Sequence, residues 1–421
     1  MIAKQFTLVL FLALSISAIA QNPIRIMSYN VLNFPEPNPA GKEDTLASIL
    51  AFHPVDLLLV QELRFESGVD LILNGALNVN GETRFSAATW VPMQSNPNSN
   101  HKLQQLLYYD HEKFILHEET FVLTERRDLN NYTLYLNDPD LAQTNDTTWL
   151  DIYVLHLKSS QGQTNEQIRD NMVDSLFQHI ASKPADRNII VAGDMNVYSS
   201  FEPAYQNLMD DGHSIVLKDP INMPGAWNNN SNFSEIHTQS TRTSSIFGDG
   251  ASGGMDDRFD QVLLSESLMN GTEGVSFTDG TYEAFGQSGY CYNQNITDCS
   301  NSQIPQEILT SLYYMSDHLP VVLELETSIS IGLEEFTQNV VLGAAYFSSA
   351  NVLILPIENT GRQDARVVIY NALGQELKTT PMELNGGSEL LEIQVGEHAK
   401  GLIFIYLETE GQRLVSKVFR P

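Results

Sequence analysis

Ile189–Asn196 reads IIVAGDMN, four apolar residues followed by Gly193, Asp194, Met195 and Asn196. A short apolar run closed by glycine and polar residues is the pattern of a buried strand that ends where polar side chains can act. Four other segments repeat it. IRIMSYN ends at Asn30, LLLVQE at Glu62, YVLHLK surrounds His156, and SDHLPVVLEL opens with Asp317 and His318. In layered α/β folds, strand ends are where ligands meet a rigid edge.

The intervening segments fit layers of helix and strand. Asn165 to Lys183 carries Ile168, Met172, Leu176 and Ile180, each four apart, which is the stripe of an amphipathic helix. It lies between the expected strands Ile152 to Leu157 and Asn188 to Ala192, and a second helix is expected over Glu43 to Phe52. Residues 220–254 are rich in Asn, Ser, Gly and Thr without periodicity and read as a long surface loop bordering the site.

The chain has 421 residues, 52 Asp and Glu against 23 Lys and Arg, and a formal charge of −29. That length favours two folded units. The charge repels polyanions at long range, so a phosphate substrate would need divalent cations or a few well-placed Lys and Arg. Residues 1–20 read as a secretory leader: Lys4, the apolar stretch Phe6 to Leu14, then Ala18-Ile19-Ala20 before Gln21. No other segment approaches membrane-spanning length. The expectation is a secreted, extracellular or surface-attached protein without stable membrane insertion, and a monomer. In that oxidising setting Cys291 and Cys299 are expected to form a disulfide.

The character changes near Glu326. Residues 327–347 read as a linker, and 348–421 as short alternating strands with turns at Asn385-Gly386-Gly387 and Glu410-Gly411, hence a small β-sandwich. VVIYNALGQEL and GLIFIYLETEGQRLVSKVFRP resemble the C-terminal sorting domain of type IX secretion cargo. The resemblance implies outer-membrane secretion machinery as a partner.

The strand-end residues suit phosphodiester hydrolysis, which needs charge neutralised, a water activated and a leaving oxygen stabilised. Asn30, Glu62 and Asp317 are suitable oxygen ligands for a hard cation. Asp194 and Asn196 could orient the attacking water. His156 and His318 could bind phosphoryl oxygens or move protons, and Asp260 in RFDQVLLS could orient a histidine.

Together MSYNVLNF, VQELR, VLHLKSS, AGDMNVY, RFDQVLLS and SDHLPV resemble the endonuclease/exonuclease/phosphatase superfamily, in its deoxyribonuclease-like branch, over about residues 24–326. The resemblance implies a four-layer α/β sandwich: two packed β-sheets flanked by helices, with a catalytic domain over 21–326. It implies a metal-dependent hydrolase using Mg²⁺, with Ca²⁺ or Mn²⁺ as substitutes, that cleaves nucleic acid, DNA foremost and RNA second, with low sequence specificity. It further implies Asn30, Glu62 and Asp317 as metal ligands, Asp194 and Asn196 at the water, His156 and His318 at the transition state, and Asp260 behind His318. Arg64 matches an arginine that deoxyribonuclease-like members send into the DNA minor groove.

One departure stands out: Lys102 to Leu106 offers no carboxylate where that branch orients its first histidine. Two other functions compete. One is a sphingomyelinase- or phosphoinositide-phosphatase-like activity on lipids, although Met255-Asp256-Asp257-Arg258 replaces the Trp-Cys-Asp-Arg of the phosphoinositide branch. The other is a catalytically weak surface binding protein.

Overall fold

A computed structural model describes residues 23–36, 39–98, 102–141, 147–245, 247–327, 329, 331, 340–343, 345–349, 351–359, 362–371, 374–385, 387–396, 400–409 and 412–420. The expected leader, residues 1–20, lies outside them. The chain divides into two units between Leu333 and Glu334.

The first unit carries strands β1 (Ile24–Phe34), β2 (Leu57–Leu63), β3 (Phe85–Ala87), β4 (Gln104–Asp110), β5 (Phe114–Val122), β6 (Leu129–Leu136) and β7 (Trp149–His156). It continues with β8 (Asn188–Asp194), β9 (Leu217–Lys218), β10 (Asp260–Ser265), β11 (Val275–Phe277), β12 (Glu283–Ala284) and β13 (Val321–Thr327). One mixed sheet runs β11-β13-β1-β2-β4-β3, with β12 also beside β13. The other runs β5-β6-β7-β8-β10-β9.

Alternation of side chains fixes how the sheets stack. On β7, Ile152 and Val154 belong to the core shared with the first sheet, whereas Tyr153 and Leu155 join the core beneath the long helix Gln163–Ile180. On β8, Ile190 and Ala192 face the first sheet and Ile189 and Val191 the helix. Ile168, Met172, Leu176 and Ile180 are all buried on that helix, as the stripe predicts. On the other flank, helices Lys42–Phe52 and Gln306–Met315 pack together and bury Leu46, Ile49, Leu309 and Leu312. The result is a four-layer sandwich of helices, two sheets and helices.

The inward rows continue to the strand ends. Period two carries 152-154 to His156, 190-192 to Asp194, and 264-262 back to Asp260. The register then lines these up, pairing His156 with Asp194 across parallel β7 and β8, and Asp260 with Asp194 across antiparallel β10 and β8. Gly193 permits this close approach. It has φ 142°, and a Cβ there would lie 1.9 Å from Leu155 O.

Residues 220–254 are less superficial than their composition predicts. His237, Thr238, Ser240, Thr241 and Arg242 are buried, because their polar groups find partners inside: Thr241 Oγ1 donates to Ser316 O and Arg242 Nε to Tyr313 O. Cys291 and Cys299 form the expected disulfide.

The second unit is a β-sandwich of two four-stranded antiparallel sheets. Alternating Leu353, Leu355 and Ile357, Val367 and Ile369, and Ile403, Ile405 and Leu407 make its own core. It includes strand Val340–Leu342 and the start of Tyr346–Ser349 from the stretch read as a linker. Strands of three and four residues are too short to betray a period.

Candidate active site

Where the two sheets end together, Glu62, His156, Asp194 and His318 line the floor of a cavity of about 690 Å³, with Asn30 and Asp260 bonded to them from behind. Asn30 sits at the centre. Its Nδ2 donates to Glu62 Oε1 at 3.2 Å and to Asp194 Oδ2 at 3.1 Å, and lies 3.4 Å from His318 Nε2. Asn196 closes the row: its backbone N–H donates to Asp194 Oδ1 and its side chain to Leu157 O.

The backbone is contorted to achieve this. Leu32, Asn33, Glu62 and Asn196 all have left-handed φ, between 47° and 64°. Each such non-glycine residue costs about 1–3 kcal/mol, and the surrounding bonds must hold it. They are visible: Asn33 N–H donates to Glu62 Oε2, and Lys42 Nζ, itself buried, donates to the carbonyls of Val31 and Leu32 at 2.6 and 2.8 Å.

The two histidines differ sharply. His318 Nδ1 lies 2.7 Å from Asp260 Oδ2, and Nε2 faces Asp194 and Asp317 at 3.8 and 4.0 Å. Burial alone would pull this imidazole down, but Asp260, Asp317 and Asp194 together hold it well above its ordinary value. His156 Nδ1 is buried and has no hydrogen-bond partner among the described residues, and Lys102 to Leu106 offers it no carboxylate. Burial, Arg127 and His318 pull His156 well below its ordinary value, so it is a neutral imidazole 3.4 Å from Asp194 Oδ2. Burial pushes the Asp194 carboxyl up to about 7 and raises Glu62 as well.

The side chains fit a divalent cation. Ligand atoms of Glu62, His156 and Asp194 lie within 4.8 Å of one another, and Asp317 Oδ1 is buried with no donor among the described residues. Buried carboxylates that repel one another are stabilised by a cation between them. Glu62 is common to this group and to the expected set of Asn30, Glu62 and Asp317. Leu32 N–H donates to Asn30 Oδ1 and so turns the amide nitrogen toward the carboxylates, while Asp317 Oδ2 is tied to Ala251 N–H and Gln239 Nε2. Arg64 does not line the cavity; it pairs with Glu36 at 3.6 Å and packs over Phe65.

Residues 27–318 match the model of the Endonuclease/Exonuclease/phosphatase family. The chain belongs to that family. Family membership supports a phosphoester hydrolase. No curated protein matches the sequence. Among solved structures, D. rerio TDP2 complexed with single strand DNA product is 17% identical, covering 72% of this chain and 99% of that one, TM-score 0.47. The human Nocturnin catalytic domain with bound sulfate anion is 16% identical over 73% and 95%, TM-score 0.43. An endonuclease/exonuclease/phosphatase from Bacteroides vulgatus is 14% identical over 73% and 100%, TM-score 0.46.

Several residues of this candidate site escape sequence reading. Gln239 Nε2 lies 2.6 Å from His318 Nε2, yet nothing in its aperiodic stretch marks it. Asp249 accepts from Asn33 Nδ2 and lines the cavity from the same stretch. Arg127 donates from Nη1 to Leu157 O at 2.8 Å and lines the wall beside His156. Asn33 stood in the quoted MSYNVLNF, where a second Asn three residues after the first was the available signal.

Proposed function

We propose that the first unit is a metal-dependent phosphodiesterase whose preferred substrate is nucleic acid, DNA foremost and RNA second, cleaved internally with little sequence preference. The observation that carries this reading is the buried Asp260–His318 pair aimed at the Glu62–His156–Asp194 cluster. A histidine held protonated beside the reacting phosphate can give its proton to a leaving oxygen.

Glu62 and Asp194 would hold Mg²⁺, with Ca²⁺ or Mn²⁺ as substitutes, and Asp317 offers a further oxygen. Bound there, the ion would supply charge neutralisation for the scissile phosphate. Asp194 Oδ2 would orient the attacking water, its other oxygen held by the Asn196 backbone N–H, and His318 Nε2 would protonate the leaving oxygen. Neutral His156 would donate a hydrogen bond to a phosphoryl oxygen, and Arg127 beside it would add positive charge. Asn30, held by Glu62, Asp194 and Leu32, would keep the two acids in place.

The leader-like residues 1–20 and the C-terminal sandwich support export to the cell exterior, the sandwich engaging outer-membrane secretion machinery. Gln21 as the first residue of protein recovered from medium would establish processing at the expected position. No helix among the described residues is long and apolar enough to cross a membrane.

The substrate test is a panel: supercoiled plasmid, single-stranded RNA, sphingomyelin vesicles and phosphoinositide vesicles, each with Mg²⁺ and with EDTA. Mg²⁺-dependent nicking with slower RNA cleavage is the expected result. Turnover confined to either lipid contradicts the nucleic-acid reading.

A further inference from the structure

The cavity has a second wall, of opposite sign to its floor. Arg126 and Arg127, on the turn between β5 and β6, line it together with Lys158, which follows β7. Most other Lys and Arg described in this unit pair with a carboxylate, as Arg169 does with Glu202 and Arg258 with Asp219. Arg126, Arg127 and Lys158 have no carboxylate partner among the described residues, in a chain with 52 acids and 23 bases. Three neighbouring cations repel one another unless an anion joins them.

The backbone beneath these cations is held in place. Thr124 Oγ1 accepts from the N–H groups of Arg126 and Arg127 at 3.1 and 3.3 Å and donates to Arg127 O at 2.7 Å. The buried Asp128 carboxylate accepts from Gln94 and Ser95 N–H at 2.8 and 2.7 Å, which brings the loop bearing Asn96 against that turn. On the other side, fully buried Arg169 donates to Lys158 O at 2.8 Å and Ser160 O at 3.0 Å while paired with Glu202. Both cation-bearing stretches are therefore fixed before substrate arrives, which limits the entropy lost on binding.

We propose that Arg126 and Lys158, with Asn96 on the neighbouring loop, form a subsite for a phosphate that flanks the scissile one. The preferred substrate then carries a second phosphate one linkage away, as a nucleic-acid strand does and a lipid with a single phosphodiester does not. This rests on the phosphodiesterase reading of the same cavity and narrows it.

Two measurements on the full-length chain separate the subsite from that reading. Calorimetry in Ca²⁺ compares thymidine 3′,5′-bisphosphate with thymidine 5′-monophosphate. The bisphosphate should bind about tenfold more tightly, as charge-assisted bonds allow. That advantage should shrink to under about threefold in the Arg126→Gln/Lys158→Gln double variant. Equal binding by the wild type, or an advantage that survives both substitutions, overturns the subsite.

Kinetics then compare the dinucleotide TpT with pTpT and TpTp, which share one scissile linkage and differ only in the flanking phosphate. One phosphorylated form should exceed TpT in kcat/KM by about tenfold, and that ratio should collapse in the double variant. A parallel fall on all three dinucleotides contradicts the subsite. Failure of the wild type to cleave any of them tells against the nuclease reading, while calorimetry still decides the subsite. Should the double variant not fold, Arg126→Gln alone, at an exposed position, gives the same two ratios.

Discussion

The two sides of the cavity carry the same residue type in opposite electrostatic settings. On one side His318 has Asp260 at 2.7 Å behind it and two more carboxylates in front, and it is held protonated. On the other, His156 Nδ1 has no partner among the described residues, and burial and cationic neighbours hold the ring well below its ordinary value. Charge is set by what surrounds the ring, not by the ring. The difference supports the proposed division of labour, proton donation by His318 and hydrogen bonding by His156, two roles that a sequence motif with two histidines leaves interchangeable.

The comparison can be broken most sharply by substitution. His318→Ala should lower kcat by about 10³–10⁴-fold and His156→Ala by about 10²-fold, the upper and lower ends of general acid–base effects. Equal losses, or the reverse order, would remove the distinction. Asp260→Asn should cost about 10²-fold and move the alkaline limb of the rate profile to lower pH. Without its carboxylate, His318 loses its proton earlier as pH rises. An unmoved limb would mean that another group titrates.

Stability offers the next test. Leu176→Ala, beneath β7 and β8, should destabilise the protein by about 2–5 kcal/mol in urea while leaving both histidines in place. The acid floor itself gives a pH signature. With Asp194 pushed up to about 7, the native state keeps a proton between about pH 4 and 7 that the unfolded chain has released. Metal-free protein should therefore lose stability as pH rises through that window, by up to about 1.4 kcal/mol per unit. Mg²⁺ should reverse the loss, so the gap between EDTA and Mg²⁺ melting curves widens with pH. A gap independent of pH would detach the cation from Asp194. The smallest effect expected is from removing residues 334–421, which should leave kcat within about twofold, since every described residue of the cavity precedes them.

Much of this was legible in the chain because strand periodicity carries position. Once β7, β8 and β10 are recognised, period two and register bring His156, Asp194 and Asp260 side by side. The loops carry no such rule. Gln239 and Asp249 lie in an aperiodic stretch and reach the site only because buried Thr238, Thr241 and Arg242 pin it inside the fold. The amide of Asn30 was readable as present but not as oriented. Its direction follows from the left-handed turn at Leu32 and Asn33, which places Leu32 N–H on Oδ1. The second unit's early strands were missed for a different reason, being too short to show alternation.

The most direct test of the central claim is hydrolysis of bis(p-nitrophenyl) phosphate by the full-length chain across a Mg²⁺ titration, beside His318→Ala and Asp194→Asn. Saturable, EDTA-sensitive turnover that both substitutions abolish is the predicted result. Turnover unaffected by either substitution, or by EDTA, would contradict a phosphodiesterase centre at these strand ends.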